Sequence, residues 1–342
     1  MSWKHIQIGA LLQPVPKTQK VPSSAYQQNG HTPIIDQSKK EIAGYTDSPT
    51  ARFESPLPVV LFGDHTRVLK YLDTPFARGA QGTQILITDP KQVLSRYLFY
   101  ALHTVDLSSY GYTRHFKYLK EQSIPVPPMR VQQSIIDTLS TYDALIQNNK
   151  KRMTLLEESL QLLYRKWFLL PAHKEWKKST VGAILTKVPR KISVPKNKYQ
   201  AKGPIPIIDQ SSTFIGGYTD NQEAVYDNPL PLIVFGDHTR VVKFIDFPFA
   251  RGADGTQLLR PNHLLSPQLL YCALSHIDLS SFGYTRHLKH LKAQSIWVPP
   301  KEINQRFDSH ATPILRQIHT LRMQNKNLHN TQKLLMAKLM PT

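Results

Sequence analysis

The chain has 342 residues, with 43 lysines and arginines against 24 aspartates and glutamates, and a formal net charge of +19. Hydrophobic residues make up 40%, enough to bury real cores and to exclude a disordered basic tail, and the positive surplus favours a polyanionic partner, nucleic acid before an anionic membrane surface. The longest apolar runs, such as Val59-Val60-Leu61-Phe62, are far shorter than the ~18–20 residues of a spanning helix. Residues 1–30 hold no apolar core of signal-peptide type and the single cysteine, Cys272, fits a reducing compartment, so a cytoplasmic protein is expected.

In chain order, residues 1–128 read as a globular α+β domain. Pro33-Ile34-Ile35, Val59 to Phe62 and Val68 to Leu72 are short β-branched or aromatic runs bounded by Gly, Pro and Asp, the pattern of strands. A short helix is expected around Arg96–Thr104. From 129 to 170 the pattern changes. Ile135, Leu139, Tyr142, Ile146, Met153, Leu156, Leu160, Leu163 and Trp167 follow the steps of a coiled-coil seam, with Asn149 on a core position. At about 1.5 Å per residue such a helix is roughly 60 Å long.

Residues 171–300 repeat the first domain. Phe62-Gly63-Asp64-His65-Thr66-Arg67-Val68 recurs as Phe235 to Val241, 173 residues later, and 32 of the 51 positions from Ile34 to Gln84 are identical in the second copy. Gly111 to His115 recurs as Gly283 to His287 at an offset of 172. This is a duplicated domain, too long a unit for a solenoid. A second short helix is expected at Leu269–His276. The last segment, 301–342, carries a looser seam through Ile303, Phe307, Ile314, Leu321, Leu328, Leu335 and Leu339, with Asn325 and Gln332 on it. Pro313 predicts a kink or a restart there, with Thr312 as the N-cap. Two seam-bearing helices in one chain are expected to pair antiparallel, so the fold class is α+β: two similar globular domains separated by two long coiled-coil helices, in a pseudo-twofold internal repeat.

Each domain ends in Ser-Ile-X-Val-Pro-Pro (Ser123 to Pro128; Ser295 to Pro300), with Gln132-Gln133 or Gln305 just beyond. With the Gly-Tyr-Thr-Arg-His and Leu-Lys motifs, this arrangement resembles the DNA-specificity subunit of type I restriction-modification systems, over essentially the whole chain. The resemblance implies two target-recognition domains and two spacing helices. It also implies double-stranded DNA as ligand, two DNA-methyltransferase (modification) subunits and the restriction/translocase subunits as partners, and no cofactor, metal or catalytic residue in this chain. Two features depart from that family: no acidic residue precedes the Gln, and the two domains are near-copies. The chain also lacks an amino-methyltransferase Asn-Pro-Pro-Tyr/Phe motif and a G-x-x-x-x-G-K-[ST] phosphate loop, and Cys272 alone cannot build a zinc site.

The candidate DNA-binding residues occur in pairs. Arg67 and Arg240 follow Gly-Asp-His-Thr and could fork onto guanine or a phosphate, or pair with Asp64 and Asp237. His65 and His238 beside those aspartates are open to three readings: a buried hydrogen bond, a DNA contact, or an Asp-His phosphodiesterase or metal site. Arg78, Gly79, Gly82, Thr83 and Gln84, with Arg251, Gly252, Gly255, Thr256 and Gln257, form a glycine-bearing loop able to approach phosphate or base edges, or simply a tight turn. Tyr112, Thr113, Arg114, His115 and Lys117, with Tyr284, Thr285, Arg286, His287 and Lys289, place aromatic and basic groups after a glycine, as expected of a phosphate-contacting loop. Asp36-Gln37-Ser38 is also kept in both copies, for folding or for function.

Overall fold

A computed structural model describes residues 3–111, 113–170, 175–283 and 285–340. The first domain comprises β1 (Lys4–Gln7), β2 (Leu12–Gln13), β3 (Thr32–Ile35), β4 (Gly44–Thr46), β5 (Arg52–Phe53), β6 (Val59–Gly63), β7 (Leu69–Leu72), β8 (Phe76–Arg78), β9 (Thr83–Thr88), α1 (Ser95–Leu102), α2 (Phe116–Glu121) and β10 (Ser123–Val126). One sheet has the order β2-β9-β6-β7 and a second the order β4-β3-β8-β5, in which only the β3–β8 pair is parallel. Strand β6 explains why the first sheet reads as a solid apolar run. Val60 and Phe62 enter the cluster beneath α1 with Tyr97, Leu98 and Ala101, while Val59 and Leu61 face Ile35, Phe53 and Phe76 of the other sheet. Both faces are covered, so no polar alternation is needed. Strand β1 pairs with β10 and brings the two ends of the domain together.

The second domain repeats this order with β11 (Lys177–Thr180), α4 (Val181–Ile184), β12 (Leu185–Thr186), β13 (Ile205–Ile208), β14 (Gly217–Thr219), β15 (Val225–Tyr226), β16 (Leu232–Gly236), β17 (Val242–Ile245), β18 (Phe249–Arg251), β19 (Thr256–Pro261), α5 (Pro267–Ser275), α6 (Leu288–Ala293) and β20 (Ser295–Val298). Its sheets have the orders β12-β19-β16-β17 and β14-β13-β18-β15. The long helices are α3 (Met129–Tyr164), continued by a π-helical turn over Arg165–Leu169, inserted between the two domains in the chain, and α7 (Lys301–Leu339).

The chain divides into two compact units that cut across both helices: Met1–Asn149 with Met323–Thr342, and Lys150–Arg322. Each unit therefore contains one domain, the first half of the helix that follows it, and the second half of the other helix. In the first unit Gln332 donates to the Leu139 carbonyl (3.1 Å) and to Asp143 Oδ1 (2.6 Å), and Asn149 Nδ2 donates to Asn325 Oδ1 (3.0 Å). Early α3 residues thus meet late α7 residues, so the helices run antiparallel. In the second unit Trp167 and Phe168 lie 6.0 and 5.2 Å from the Phe307 ring, and Arg322 pairs with Glu157 at 3.8 Å, the same sense. The seam also drifts by one position, burying Tyr164 and Phe168 beside the expected Leu163 and Trp167.

Pro313 corrects one expectation. Helix α7 continues through it without a restart, and Thr312 accepts a bond from Gln268 Nε2 (3.2 Å) instead of capping a new helix. Phe307, Ala311 and Leu315 are buried around that turn, and their packing outweighs the ~3 kcal/mol that a mid-helix proline costs. The Gln after Pro-Pro has a clear structural part. Gln132, fully buried, accepts from Leu94 N (2.9 Å) and donates to the carbonyls of Gln92 and Pro127, locking the start of α3 to its domain. Asn304 does the equivalent in the second unit by accepting from Ser266.

Candidate nucleic-acid interface

Four loops that lie far apart in sequence meet on one side of each domain. Asp64 joins two of them. Its amide donates to the Gly82 carbonyl (2.6 Å), its own carbonyl accepts from His115 N (2.8 Å), and its carboxylate accepts from Phe116 N (2.8 Å) at the start of α2. Gln37 joins the others. Oε1 accepts from His65 N (3.1 Å), Nε2 donates to the Gln81 carbonyl (3.3 Å), and its backbone carbonyl accepts from the Thr66 hydroxyl (2.6 Å). Asp237 and Gln210 reproduce these bonds in the second unit with Gly255, His287, Leu288, His238, Asp254 and Thr239. Beneath the frame lies a lysine. Lys243 donates to the carbonyls of Asp209 (2.7 Å) and Thr213 (2.6 Å) with only 4% of its surface exposed, and burial lowers its pKa to about 8. Lys70, less buried, makes the matching bonds to Asp36 and Lys40, and burial lowers its pKa too.

Residues 2–158 match the family model of the type I restriction modification DNA specificity domain. The type I restriction enzyme MjaIX specificity subunit of Methanocaldococcus jannaschii is 28% identical over 305 residues, covering 72% of this chain and 68% of that one. The chain is thus similar to the type I restriction-modification specificity subunits. The crystal structure of a type I restriction-modification system S subunit from M. genitalium shares the fold, with a TM-score of 0.59 at 16% identity, over 100% of this chain and 96% of that one.

The structure sorts the candidate residues of this chain into groups that face outward and groups that hold the frame. Arg67, Thr113, Arg114 and Lys117 are exposed, as are Arg240, Thr285, Arg286 and Lys289, and His65 and His238 are partly so. Gln84 and Gln257 are half-buried on the central sheets. Tyr112 and Tyr284 lie outside the described residues.

Several expectations are corrected. His115 and His287 are 1% and 2% exposed, and both ring nitrogens of each lie about 3.0 Å from backbone carbonyls, of Asp64 and Gly111 or of Asp237 and Gly283. They hold the loop and cannot reach a ligand outside it. Thr83 and Thr256 are buried as well. Gly79 and Gly252 serve internal packing, since a Cβ there would strike the hydroxyl of Tyr26 or Tyr199 and the Cβ of Asp36 or Asp209. Gly82 and Gly255 sit at φ +71° and +73° against the Gln37 and Gln210 side chains, a turn that only glycine takes without strain. The Asp-His reading also falls: the Asp64 and Asp237 carboxylates accept from the first amides of α2 and α6. Among the described residues no group of three His, Cys, Asp or Glu side chains could hold a metal.

Arg67 and Arg240 are also not ion-paired to those aspartates. The carboxylates that feel their charge are Asp106 and Asp278. Both arginines adopt left-handed backbone, φ 58° and 63°, which costs a non-glycine residue about 1–2 kcal/mol. Arg78 and Arg251 are half-buried, each with a buried Nε that lacks a hydrogen-bond partner, and burial lowers the pKa of Arg78. Sequence reasoning singled out Gln37 and Asp64 without assigning their organising role, and missed Lys70 and the Tyr26 hydroxyl, whose pKa burial and Asp36 raise to about 12. Their retention in both copies was the available signal.

Proposed function

We propose that the chain reads a bipartite, near-palindromic duplex target, one half-site for each domain, with the unspecified spacer fixed by the paired helices. The domains are taken as 1–128 and 171–300 and the spacer helices as 129–170 and 301–342. The observation that carries this reading is the duplication of the outward-facing set. Arg67, Arg114 and Lys117 on one frame correspond to Arg240, Arg286 and Lys289 on an equivalent frame, presented by the same loops. Like groups in like places read like sequences, and antiparallel helices favour half-sites in inverted order. The net charge of +19 supplies the phosphate attraction that every such reader needs.

Catalysis then belongs to partners. Two modification subunits and the restriction/translocase subunits dock on the helices, in the cytoplasm. Apolar side chains left in solvent support a docking role: Leu155 and Leu162 on α3 are 51% and 62% exposed, and Leu334 on α7 is 72% exposed. Lys150, Lys151 and Arg152 add an exposed basic stretch on α3. The test is to assemble the chain with its modification subunits and map the methylated bases on random DNA. An inverted repeat with at most one differing position is expected. Two unrelated half-sequences would overturn the reading.

A further inference from the structure

The two halves of the chain are near-copies, yet their helical seams are not interchangeable. At the 172-residue offset Asp143 corresponds to Leu315, Asn149 to Leu321, Met153 to Asn325 and Leu160 to Gln332. In the first unit Asp143 accepts from Gln332 (2.6 Å) and Asn149 donates to Asn325 (3.0 Å), polar on polar, with Asn149, Asn325 and Gln332 each 7% exposed. In the second unit the corresponding positions are apolar on apolar. Leu160 and Leu315, 0% and 6% exposed, share one buried cluster, and the register set by Trp167 on Phe307 brings Met153 opposite Leu321, itself 1% exposed.

The exchange reaches into the domains. Asp143 is held by the Tyr100 hydroxyl and lies 3.6 Å from Arg96, so it cannot swing away from the seam. The second half replaces all three groups together, with Cys272 for Tyr100, Gln268 for Arg96 and Leu315 for Asp143. A pair of two first halves would set Asp143 against Leu160 and Asn149 against Met153, twice each. A pair of two second halves would set Leu315 against Gln332 and Leu321 against Asn325. Every one of these pairings leaves a polar group of the seam, buried in the case of Asn149, Asn325 and Gln332 and half-buried in that of Asp143, facing an apolar one, whereas the unlike pair satisfies all of them.

We propose that these reciprocal exchanges form a pairing code: the seam of each half accepts the complementary half and rejects a second copy of itself. The partner that fits the helix face of residues 129–170 is thus a helix with apolar groups facing Met153 and Leu160 and amide groups facing Asp143 and Asn149. In this chain that partner is its own second half. Several mismatched polar groups per like pair give a bias on the order of 100-fold or more against like pairing.

Two measurements test this. In the intact chain, Asn149→Leu and Asn325→Met are made singly and together and thermal unfolding is followed. Each single change strands an amide and should lower Tm, and the double change should recover most of the loss. Additive losses would overturn the proposal. In the second measurement a protease site is inserted between Leu170 and Glu175 and cut after folding. The cut chain is mixed with an isotopically labelled cut chain until labels scramble, and native mass spectrometry identifies the pairs. Unlike halves alone are expected, and like pairs near the statistical share of one half would overturn the code. A variant with Asp143→Leu, Asn149→Leu, Asn325→Met and Gln332→Leu removes the polar groups and should move the distribution toward that statistical share. The intact-chain cycle decides the matter whether or not the cut halves exchange.

Discussion

Replacing Asp64 by alanine probes the frame of the recognition surface at one atom. The Asp64 carboxylate, on a residue 4% exposed, accepts from Phe116 N at 2.8 Å, and Asp237 accepts from Leu288 N at 2.7 Å in the second unit. The backbone bonds to Gly82 and His115 survive substitution, so the change removes one hydrogen bond to a carboxylate and leaves the first amide of α2 without its acceptor. A hydrogen bond to a charged group contributes about 1.5–3 kcal/mol, and losing a helix cap costs about 0.5–2 kcal/mol. Asp64→Ala should therefore cost about 2–3 kcal/mol, roughly 30–150-fold in the folding equilibrium of that unit, while Asp64→Asn keeps an acceptor and should cost about 1 kcal/mol. Urea unfolding gives the magnitude, and hydrogen exchange at the Phe116 amide locates it. Because α2 anchors the loop bearing Thr113 and Arg114, alanine should also weaken DNA binding across all sequences. Equal and small costs for alanine and asparagine, below about 0.5 kcal/mol, would refute the argument that this carboxylate holds the frame.

The remaining expectations concern charge, base choice and pH. Lys117→Ala and Lys289→Ala should weaken binding to all duplexes alike and reduce the salt slope by about 0.9 for each phosphate no longer neutralised, whereas Arg67→Ala or Arg240→Ala should cost about 1–3 kcal/mol and relax one base position; fluorescence anisotropy across salt and target variants separates the two outcomes. Gln81 and Asp254 occupy the same exposed left-handed position, φ 53° and 52°, so Gln81→Asp should make the two mapped half-sites more alike, and an unchanged motif would exclude this position from base reading. For Lys243 the folded pKa, lowered by burial to about 8, lies below the unfolded value, so the unfolded chain binds its proton more tightly between pH 8 and the ordinary lysine range. Stability of the wild type relative to Lys243→Met should consequently rise as pH increases from 8 to 10, measured by unfolding at each pH.

Much of the fold was legible because its signals were periodic. The steps through Ile135, Leu139 and Ile146 foretold α3, and the run Val59 to Phe62 foretold a buried strand, since both patterns follow from which faces are covered. Pro313 misled because propensity is local while Phe307, Ala311 and Leu315 act from the tertiary structure. The site was legible by composition but not by role. His115 looks like a DNA-facing group beside Arg114, yet its ring is sealed by two carbonyls that come from Asp64 and Gly111. No spacing rule announces a bond between residues 51 positions apart. The bonding role of Gln37 was illegible for the same reason, its partners lying 28, 29 and 44 residues away.

The internal copy supplies a control that a single domain lacks, because a difference between the copies is either absorbed by the fold or left on its surface. Tyr118 becomes His290, but Tyr110 becomes Phe282 with it, and the stacked pairs keep their geometry at 4.1 and 4.0 Å. Thr74 becomes Phe247, whose ring lies 6.1 Å from Phe214 and 5.4 Å from His319, so that change belongs to packing within the second unit. Gln81 becomes Asp254 with no such compensation: the backbone angle, the carbonyl bond to Gln37 or Gln210 and the neighbouring glycine are all retained, and only the exposed head group differs. An amide both donates and accepts, while a carboxylate only accepts and repels phosphate. A difference in chemistry held on an unchanged backbone is what a departure from perfect symmetry in the target requires, and it singles out this position among the three.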